Sequence, residues 1–274
     1  MNARIMLSHL LVENDRLLGA LRRIPGFRLC ARTFGARVLP RDHREWFQVQ
    51  DGVGKDVWLR LNPRTGGPYY QGRVEAKLQG ILRDYLRPGM TFYDLGSNNG
   101  FFSLLAARIV GPTGAIVAFE AEPSLWAGID ENIKMNDAQN VQLVRSAVWS
   151  TSGCVDFSSV DRHSSLDAGL GRVVSSSSAE TISVPSISLD DFAQKERPPD
   201  LIKCDVEGAE VEVFRGARRL LADRRPHVEC EVHSADNGRL LQAAFEEMNY
   251  DVKWYWDNHF FAAPRSLASP TAVE

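Results

Sequence analysis

The sequence contains the stretch Tyr93-Asp94-Leu95-Gly96-Ser97-Asn98-Asn99-Gly100 between two apolar segments. The residues just before it are short, apolar and aromatic, which predicts a central strand. Residues 101–107 keep apolar side chains at helical spacing, so the stretch predicts a glycine turn from a strand into a helix. Glycine at positions 96 and 100 allows a tight turn and a close approach to a ligand. The free N–H groups at the start of the helix then face that ligand.

Asp94 indicates which kind of ligand this turn binds. The dinucleotide fingerprint G-x-G-x-x-G keeps carboxylates out of the turn, because a pyrophosphate lies there. A carboxylate placed in the turn repels phosphate and attracts a cation. S-adenosylmethionine carries an ammonium and a sulfonium group and no phosphate. The pattern D-x-G-x-x-x-G therefore predicts S-adenosylmethionine as the cofactor, and methyl transfer rather than NAD-dependent oxidation.

Composition is that of an ordinary globular protein, with 44% hydrophobic and 24% charged residues. A net charge of −3 argues against general nucleic-acid binding, for which a strongly basic domain is expected. The four cysteines are scattered without a C-x-x-C pair, which predicts reduced thiols in a cytoplasmic protein. The sequence has no apolar run of transmembrane length and no signal-peptide pattern at its start, so a cytoplasmic location is expected.

The chain is predicted to have three parts. Residues 1–70 form an N-terminal helical and β extension, residues 71–264 form the catalytic domain, and residues 265–274 form a disordered tail. Leucines and arginines in residues 1–45 predict an amphipathic helix. Two alternatives stay open for this helix: it docks on the core or on a second subunit of a homodimer, or it makes peripheral contact with a membrane surface.

Strands and helices alternate from about residue 75 onward, which is typical of a doubly wound α/β domain. A serine- and glycine-rich insertion, about 150–190, interrupts this alternation and predicts a substrate-facing hairpin with a flexible tip. The predicted strands are 56–61, 90–93, 115–120, 141–144, 201–205 and 227–232, short strands near 153–157 and 181–187, and a hairpin of 251–256 with 259–262. The predicted helices are 75–86, 101–107, 123–135, 209–222 and 237–248, and residues 62–68 are predicted to form a loop.

Charged residues follow several of these strands. Glu120 ends the second strand, where an acid can accept hydrogen bonds from both ribose hydroxyls. Ser146 and Ala147 follow the third strand, at the place of an adenine ring. Because ligands of open α/β sheets lie beyond the carboxyl ends of the strands, the fourth and fifth strands bring further groups to the same edge. These groups are Asp205, Glu207, Glu231 and His233.

Methyl transfer to an alcohol needs a group that takes the hydroxyl proton. His233 is the first candidate because its ordinary pKa is close to neutral, and Glu207 or Glu231 is the alternative. Lys203 is expected to pair with Asp205 in the floor of the site. The carboxylates are also a possible Mg²⁺ or Ca²⁺ site, but neither their spacing nor their number is diagnostic, and no metal is expected.

Several ordered motifs resemble the FkbM family of S-adenosylmethionine-dependent methyltransferases, from about Gly72 to Glu231. Ser97 and Asn99 differ from the residues usual in that family's cofactor loop. The stretches that carry the resemblance are Gly72-Arg73-Val74-Glu75, Tyr93 to Ser103, Phe119-Glu120-Ala121-Glu122-Pro123, Ser164-Ser165-Leu166, Ser188-Leu189-Asp190-Asp191, Ile202 to Glu210, Gly216-Ala217 and Glu231.

The resemblance implies a class I, Rossmann-like methyltransferase fold: a mostly parallel seven-stranded sheet with helices on both faces. It also implies O-methylation of a small-molecule or glycan hydroxyl on a sugar, glycolipid or polyketide-type metabolite. The residues expected to bind the cofactor are Glu75, Asp94, Gly96, Ser97, Asn98, Asn99, Gly100, Phe101, Glu120, Ala121, Ser146, Ala147 and Asp205. Those expected to act in catalysis are His233, Glu207, Glu231, Asp205 and Lys203.

Other functions remain as alternatives. A catalytically silent binding protein would keep the fold without the reaction. An NAD-dependent oxidoreductase is disfavoured because G-x-G-x-x-G is absent. A nucleic-acid methyltransferase is disfavoured by the acidic balance and by the absence of an Asn/Asp-Pro-Pro-aromatic motif.

Overall fold

The structure is a computed structural model that describes residues 23–24, 43–158, 172–173 and 181–265. The predicted N-terminal helix, the tip of the insertion and the predicted tail lie outside the described residues, apart from a few positions at their edges. Among the described residues, no helix combines the length and the apolar character needed to cross a membrane.

Thirteen strands and eight helices are described. The strands are β1 (Glu45–Gln48), β2 (Trp58–Leu61), β3 (Thr91–Leu95), β4 (Ala115–Phe119), β5 (Val141–Val144), β6 (Ala147–Val148), β7 (Gly153–Ser158), β8 (Arg172–Val173), β9 (Thr181–Ile187), β10 (Leu201–Cys204), β11 (His227–Glu231), β12 (Tyr250–Trp256) and β13 (His259–Pro264). The helices are α1 (Gly67–Tyr70), α2 (Ala76–Tyr85), α3 (Phe101–Val110), α4 (Pro123–Met135), α5 (Leu189–Phe192), α6 (Glu210–Arg215), α7 (Arg218–Asp223) and α8 (Ala235–Glu247).

The central sheet has seven strands in the order β12-β13-β11-β10-β3-β4-β5. The five strands from β11 to β5 run parallel, and β13 pairs antiparallel with both β11 and β12. This confirms the predicted mostly parallel seven-stranded sheet and the class I methyltransferase fold. The strand order reverses between β3 and β10, and ligands of such sheets bind beyond the carboxyl ends at this point.

The sheet is covered on both faces, as the apolar runs of its strands predict. Tyr93 and Leu95 of β3 lie in one buried cluster, together with Val213 of α6 and Phe245 of α8. The intervening Phe92 lies in a second cluster on the other face, with side chains of α2 and α3. Alternate side chains of β3 therefore pack into the clusters on the two faces of the sheet, and this packing fixes the carboxyl end of the strand.

The N-terminal hairpin of β1 and β2 packs on this second cluster through Phe47 and Leu59. Asn132 of α4 and Asn136, just after α4, accept hydrogen bonds from the backbone of β2, at 2.9 and 2.8 Å. The prediction of one strand over 56–61 missed β1, and the predicted loop 62–68 ends in the short helix α1.

The insertion forms a second, four-stranded sheet in the order β6-β9-β7-β8. Strands β7 and β9 pair antiparallel over six residues, which confirms the predicted short strands near 153–157 and 181–187.

The predicted helix 209–222 is wrong, because it is two helices separated at Gly216 and Ala217. A side chain at Gly216 would meet the Trp149 carbonyl oxygen at 2.3 Å, so the backbone of the insertion passes directly over the break. Asp190 then accepts hydrogen bonds from the N–H groups of Arg219 and Leu220 at the start of α7. These contacts come from residues distant in sequence, and helical spacing alone does not reveal them.

Candidate active site

The loop between β3 and α3 joins the carboxyl ends of three neighbouring strands. Gly96 has φ +77°, and a Cβ atom there would lie 1.8 Å from the Asp205 carbonyl oxygen, beyond the end of β10. The N–H groups of Gly96 and Ser97 both donate to the Phe119 carbonyl oxygen of β4 at 3.0 Å. Gly100, with φ +80°, then leads into α3. Glycine at position 96 is thus required by the close approach of the β10 backbone.

Asp94 lies within β3 and not in the turn, so its predicted place in the turn is wrong. The side chain is 0% exposed because β3 is buried on both faces. Its Oδ2 accepts a hydrogen bond of 2.6 Å from Ser103 Oγ, and its Oδ1 lies 3.3 Å from Lys203 Nζ. The positive charge of Lys203 therefore compensates the negative charge of Asp94 inside the protein, next to the loop.

Lys203 is the centre of this buried floor. Its Nζ donates to the Gly96 carbonyl oxygen at 3.0 Å and lies 3.6 Å from Asp205 Oδ2, which confirms the expected pair with Asp205. Burial lowers the pKa of Lys203, but the charges of Asp94 and Asp205 raise it above its ordinary value. Lys203 stays protonated and fixes the glycine loop to β10.

Three buried oxygen atoms at this loop have no hydrogen-bond partner within the described part of the chain: Glu75 Oε2, Ser97 Oγ and Asp94 Oδ1, the last of which has only its ion pair with Lys203. Glu75 adopts a left-handed conformation (φ 42°) at the start of α2, so the predicted helix start at Glu75 moves to Ala76. Burial raises the pKa of Glu75 to about 7. A carboxylate without a partner suits an ammonium group and a free hydroxyl suits a carboxylate. The methionine part of S-adenosylmethionine carries both groups, so these residues fit the predicted cofactor.

Glu120 follows β4 and is 7% exposed. Its two oxygens accept hydrogen bonds of 2.8 Å from the N–H groups of Asn98 and Glu122. Burial raises its pKa to about 7. Two carboxylate oxygens offer about four acceptor positions, so room for two hydroxyl donors remains. The arrangement leaves acceptor positions for ribose hydroxyls, and the ribose contact of Glu120 stays a prediction.

The other residues expected at the cofactor lie around the same strand ends. Ala121 packs against a small buried cluster that contains Ala147 of β6, so the structure brings together two residues predicted to bind the cofactor. Ser146 is half-buried beside them. Asn99 Oδ1 accepts from the Phe101 N–H at 3.0 Å, and the Phe101 ring is buried against Tyr69, so these two residues support the start of α3.

Four side chains predicted to meet at one edge do so. We call Asp205, Glu207, Glu231 and His233 the acidic rim. His233 Nε2 lies 3.3 Å from Glu207 Oε2, 3.8 Å from Asp205 Oδ1 and 4.0 Å from Glu231 Oε1. The carboxylates are 24–27% exposed, so they face solvent while their stems are packed. Glu207 has φ 52°, an unusual backbone conformation of the kind that clusters at functional sites.

His233 has a fourth acidic neighbour whose role the sequence analysis missed. Its Nδ1 lies 2.7 Å from Oε1 of Glu210, which is fully buried and also accepts from Asn237 Nδ2 at 2.8 Å. The hydrogen bond to Glu210 raises the pKa of His233 to about 9. At neutral pH the imidazole is therefore protonated and acts as a donor, which leaves the carboxylates as the groups able to take a proton.

One set of atoms in the described residues has spacing compatible with a metal ion. A ligand atom from each of Asp205, Glu231 and His233 lies within 4.8 Å of the other two. His233 already contacts four carboxylates through its two ring nitrogens, so the geometry alone assigns no metal here.

A groove of about 800 Å³ lies at the opposite end of the sheet, where β4 and β5 begin. Residues that line it include Arg108, Gly111 and Asn140. Ligands of parallel α/β sheets bind at the carboxyl ends of the strands, so we place the site at the glycine loop and the acidic rim.

Comparison with known proteins identifies the family of this chain. A family model described as the methyltransferase FkbM domain matches residues 94–252, more than half of the chain. The chain belongs to this family. The matched region is a methyltransferase domain by that description, and the match extends from the glycine loop through the acidic rim into β12.

Shorter similarities involve other methyltransferases. A segment of 57 residues, 21% of this chain, is 42% identical to an arsenite methyltransferase of Halobacterium salinarum, and 58 residues are 40% identical to a protein-L-isoaspartate O-methyltransferase of Triticum aestivum. These segments span 15% and 25% of those two proteins. A crystal structure titled methyltransferase FkbM from Methylobacillus flagellatus is 12% identical, with a TM-score of 0.48 over 78% of this chain and 56% of that one.

Proposed function

We propose that this methyltransferase transfers the methyl group of S-adenosylmethionine to a hydroxyl of a sugar, glycolipid or polyketide-type metabolite. The observation that carries the proposal is the acidic rim, which offers half-buried carboxylates beside the cofactor loop. A hydroxyl acceptor needs a proton acceptor at that place, and the rim supplies one. An enzyme whose acceptor atom is already nucleophilic without losing a proton would have less need of such a carboxylate.

We infer that Glu75 and Ser97 hold the amino-acid part of the cofactor and that Glu120 holds its ribose. Ala121 and Ala147 provide the apolar wall for the adenine ring. When bound, S-adenosylmethionine supplies an electrophilic methyl group on a sulfonium centre. The protein then contributes mainly by positioning the acceptor and excluding water.

The variant Glu75→Gln tests this placement. We expect it to weaken S-adenosylmethionine binding by about 10- to 100-fold, because a hydrogen bond to a charged group contributes about 1.5–3 kcal/mol. In the unmodified protein, Kd should rise as pH falls below about 7, because the carboxylate with its raised pKa becomes protonated and no longer attracts the ammonium. Calorimetry from pH 5.5 to 8.5 measures both effects.

Glu120→Gln is the matched control, because Glu120 has a pKa raised to the same value but is assigned to uncharged hydroxyls. It should weaken binding while the pH dependence that comes from Glu75 persists. Equal pH dependence in Glu75→Gln and in the unmodified protein would contradict the ammonium assignment.

We assign the proton acceptor to Glu231. His233 is protonated at neutral pH, and its Nε2 lies closer to Glu207 Oε2 (3.3 Å) than to Glu231 Oε1 (4.0 Å), so its charge opposes the burial-raised pKa of Glu207 more directly. Glu231 lies beside Asp205 at the end of the adjacent strand, and burial and the charge of Asp205 raise its pKa. A raised pKa makes a carboxylate a better proton acceptor near neutral pH.

Glu231→Gln is expected to lower kcat by about 10²- to 10⁴-fold, the usual contribution of a general base, and to leave cofactor affinity unchanged. Glu207→Gln and His233→Gln are the comparison variants and should lower kcat less. The assay measures transfer of labelled methyl groups into acceptor fractions of a metabolite extract. If Glu207→Gln loses more activity than Glu231→Gln, the assignment moves to Glu207.

The same assay separates the remaining alternatives. Loss of activity with a chelator and recovery with Mg²⁺ would favour metal assistance through Asp205, Glu231 and His233. Cofactor binding without transfer to any fraction would favour the silent binding protein. Methylation of amines but not of hydroxyls would overturn the O-methyl assignment.

A further inference from the structure

The buried side of Glu231 is in contact with a group of residues that the sequence analysis did not single out. His259 Nε2 lies 3.6 Å from Glu231 Oε2, and His259 Nδ1 lies 2.9 Å from Glu229 Oε1. The Tyr255 hydroxyl donates to the same Glu229 oxygen. Glu229 is 1% and His259 4% exposed, so this group lies beneath the acidic rim.

Strand register explains how these residues meet. Glu229 and Glu231 are two positions apart on β11, so their side chains lie on the same face of the sheet. His259 of β13 is the register partner of Glu231, and Glu229 is its diagonal neighbour. Glu229 is also the register partner of Lys203, which in turn pairs with Asp94. Charges therefore alternate from the cofactor loop to the rim, in the order Asp94, Lys203, Glu229, His259 and Glu231.

A carboxylate as deeply buried as Glu229 needs compensation of its charge. Burial lowers the pKa of His259, but the hydrogen bond to Glu229 and the charges of Glu229 and Glu231 raise it above its ordinary value. Burial and Glu229 also raise the pKa of Tyr255, whose hydroxyl therefore remains a donor. The surroundings therefore favour the protonated form of His259, which lies between two carboxylates with one ring nitrogen facing each.

We propose that His259 is a positioning residue that holds the Glu231 carboxylate toward the acceptor, and that Glu229 and Tyr255 hold His259 in turn. This inference rests on the proposed function, because it assigns a support to the proton acceptor named there. Asn258 completes the support, since its Nδ2 donates to Glu231 Oε1 at 2.9 Å. The titratable groups around His259 and Glu231 are Glu75, Asp205, Glu207, Glu229, His233 and Tyr255.

The test compares His259→Gln with His227→Gln. His227 is the matched control because it lies at the opposite end of β11, half-buried against Phe261, away from the rim. We expect His259→Gln to lower kcat by about 10- to 100-fold, because misplacing a reacting group by about 1 Å has effects of this size. The KM for S-adenosylmethionine should stay unchanged, and His227→Gln should match the unmodified enzyme. The acceptor is the extract fraction that takes up labelled methyl groups.

A second measurement needs no acceptor. In protein labelled with ¹³C at the glutamate carboxyls, the Glu231 resonance is assigned by its absence in Glu231→Gln. It should move in His259→Gln at constant pH and stay in place in His227→Gln. If His259→Gln does not fold, Tyr255→Phe keeps the ring, removes one hydrogen bond to Glu229 and should lower kcat by about 2- to 10-fold.

The two ideas fail in different ways. No methyl transfer by the unmodified protein would overturn the proposed function, while the carboxyl resonance would still decide whether His259 holds Glu231. An active enzyme in which His259→Gln equals His227→Gln in kcat and in the Glu231 resonance would overturn the inference.

Discussion

Replacing Lys203 with methionine is expected to lower the free energy of unfolding by about 3–5 kcal/mol, the cost of breaking a buried ion pair by removing one partner. Methionine approximates the length of the lysine stem, but it leaves the fully buried Asp94 without its cation. It also removes the hydrogen bond to the Gly96 carbonyl oxygen. Urea unfolding followed by circular dichroism measures the change.

The matched control is Arg145→Met, which breaks an ion pair with Asp130 in which both side chains are about half exposed. Exposed pairs contribute about 0–1 kcal/mol, so this variant should unfold close to the unmodified protein. An equal loss of unfolding free energy in the two variants would show that the buried Lys203 pair contributes no more to stability than the exposed pair.

The second large effect is expected from Gly96→Ala. The added methyl group would lie 1.8 Å from the Asp205 carbonyl oxygen, in a backbone conformation (φ +77°) that alanine rarely adopts. The loop can accept it only by moving away from β10, which separates the cofactor loop from the acidic rim. We expect S-adenosylmethionine binding to become undetectable by calorimetry, together with a loss of stability of more than about 1 kcal/mol.

Gly128→Ala provides the control for this substitution. Gly128 lies within α4, and a methyl group there meets no atom within 4 Å. Alanine in a helix interior stabilises by roughly 0.5–1 kcal/mol relative to glycine, so cofactor binding should be retained and stability should rise slightly. Normal cofactor affinity in Gly96→Ala would contradict the close contact between the loop and the Asp205 carbonyl oxygen.

Much of the sheet could be predicted from the sequence, because apolar runs and glycine turns are local signals. The order of charged residues at strand ends also predicted correctly that the acidic rim would assemble. Local signals did not predict the break between α6 and α7, because it depends on the contact of Gly216 with backbone atoms of Trp149 and Ser150, which are distant in sequence. They also missed β1, whose pairing with β2 buries Phe47 against residues far along the chain.

The sequence identified many of the residues that assemble at the site, but it was less informative about the role of each one. Asp94 was expected in the turn, but it lies within β3 with its Oδ1 3.3 Å from Lys203 Nζ, and its contact with the cofactor stays a prediction. His233 was the first candidate for the base, and the buried Glu210 beside it keeps it protonated at neutral pH. Glu229 and His259 carry no motif, and only the register of β11 with β10 and β13 brings them together.

The position of β13 affects the order in which parts of the site can form during synthesis. This strand is the last one within the described residues, yet it lies between β11 and β12 in the sheet. While the ribosome has not yet released residues 258–264, β11 is an unpaired edge, and Glu231 lacks both Asn258 and His259. A nascent chain can therefore form the glycine loop before Glu231 has its contacts with Asn258 and His259, and the hairpin of β12 and β13 supplies them at the end of synthesis.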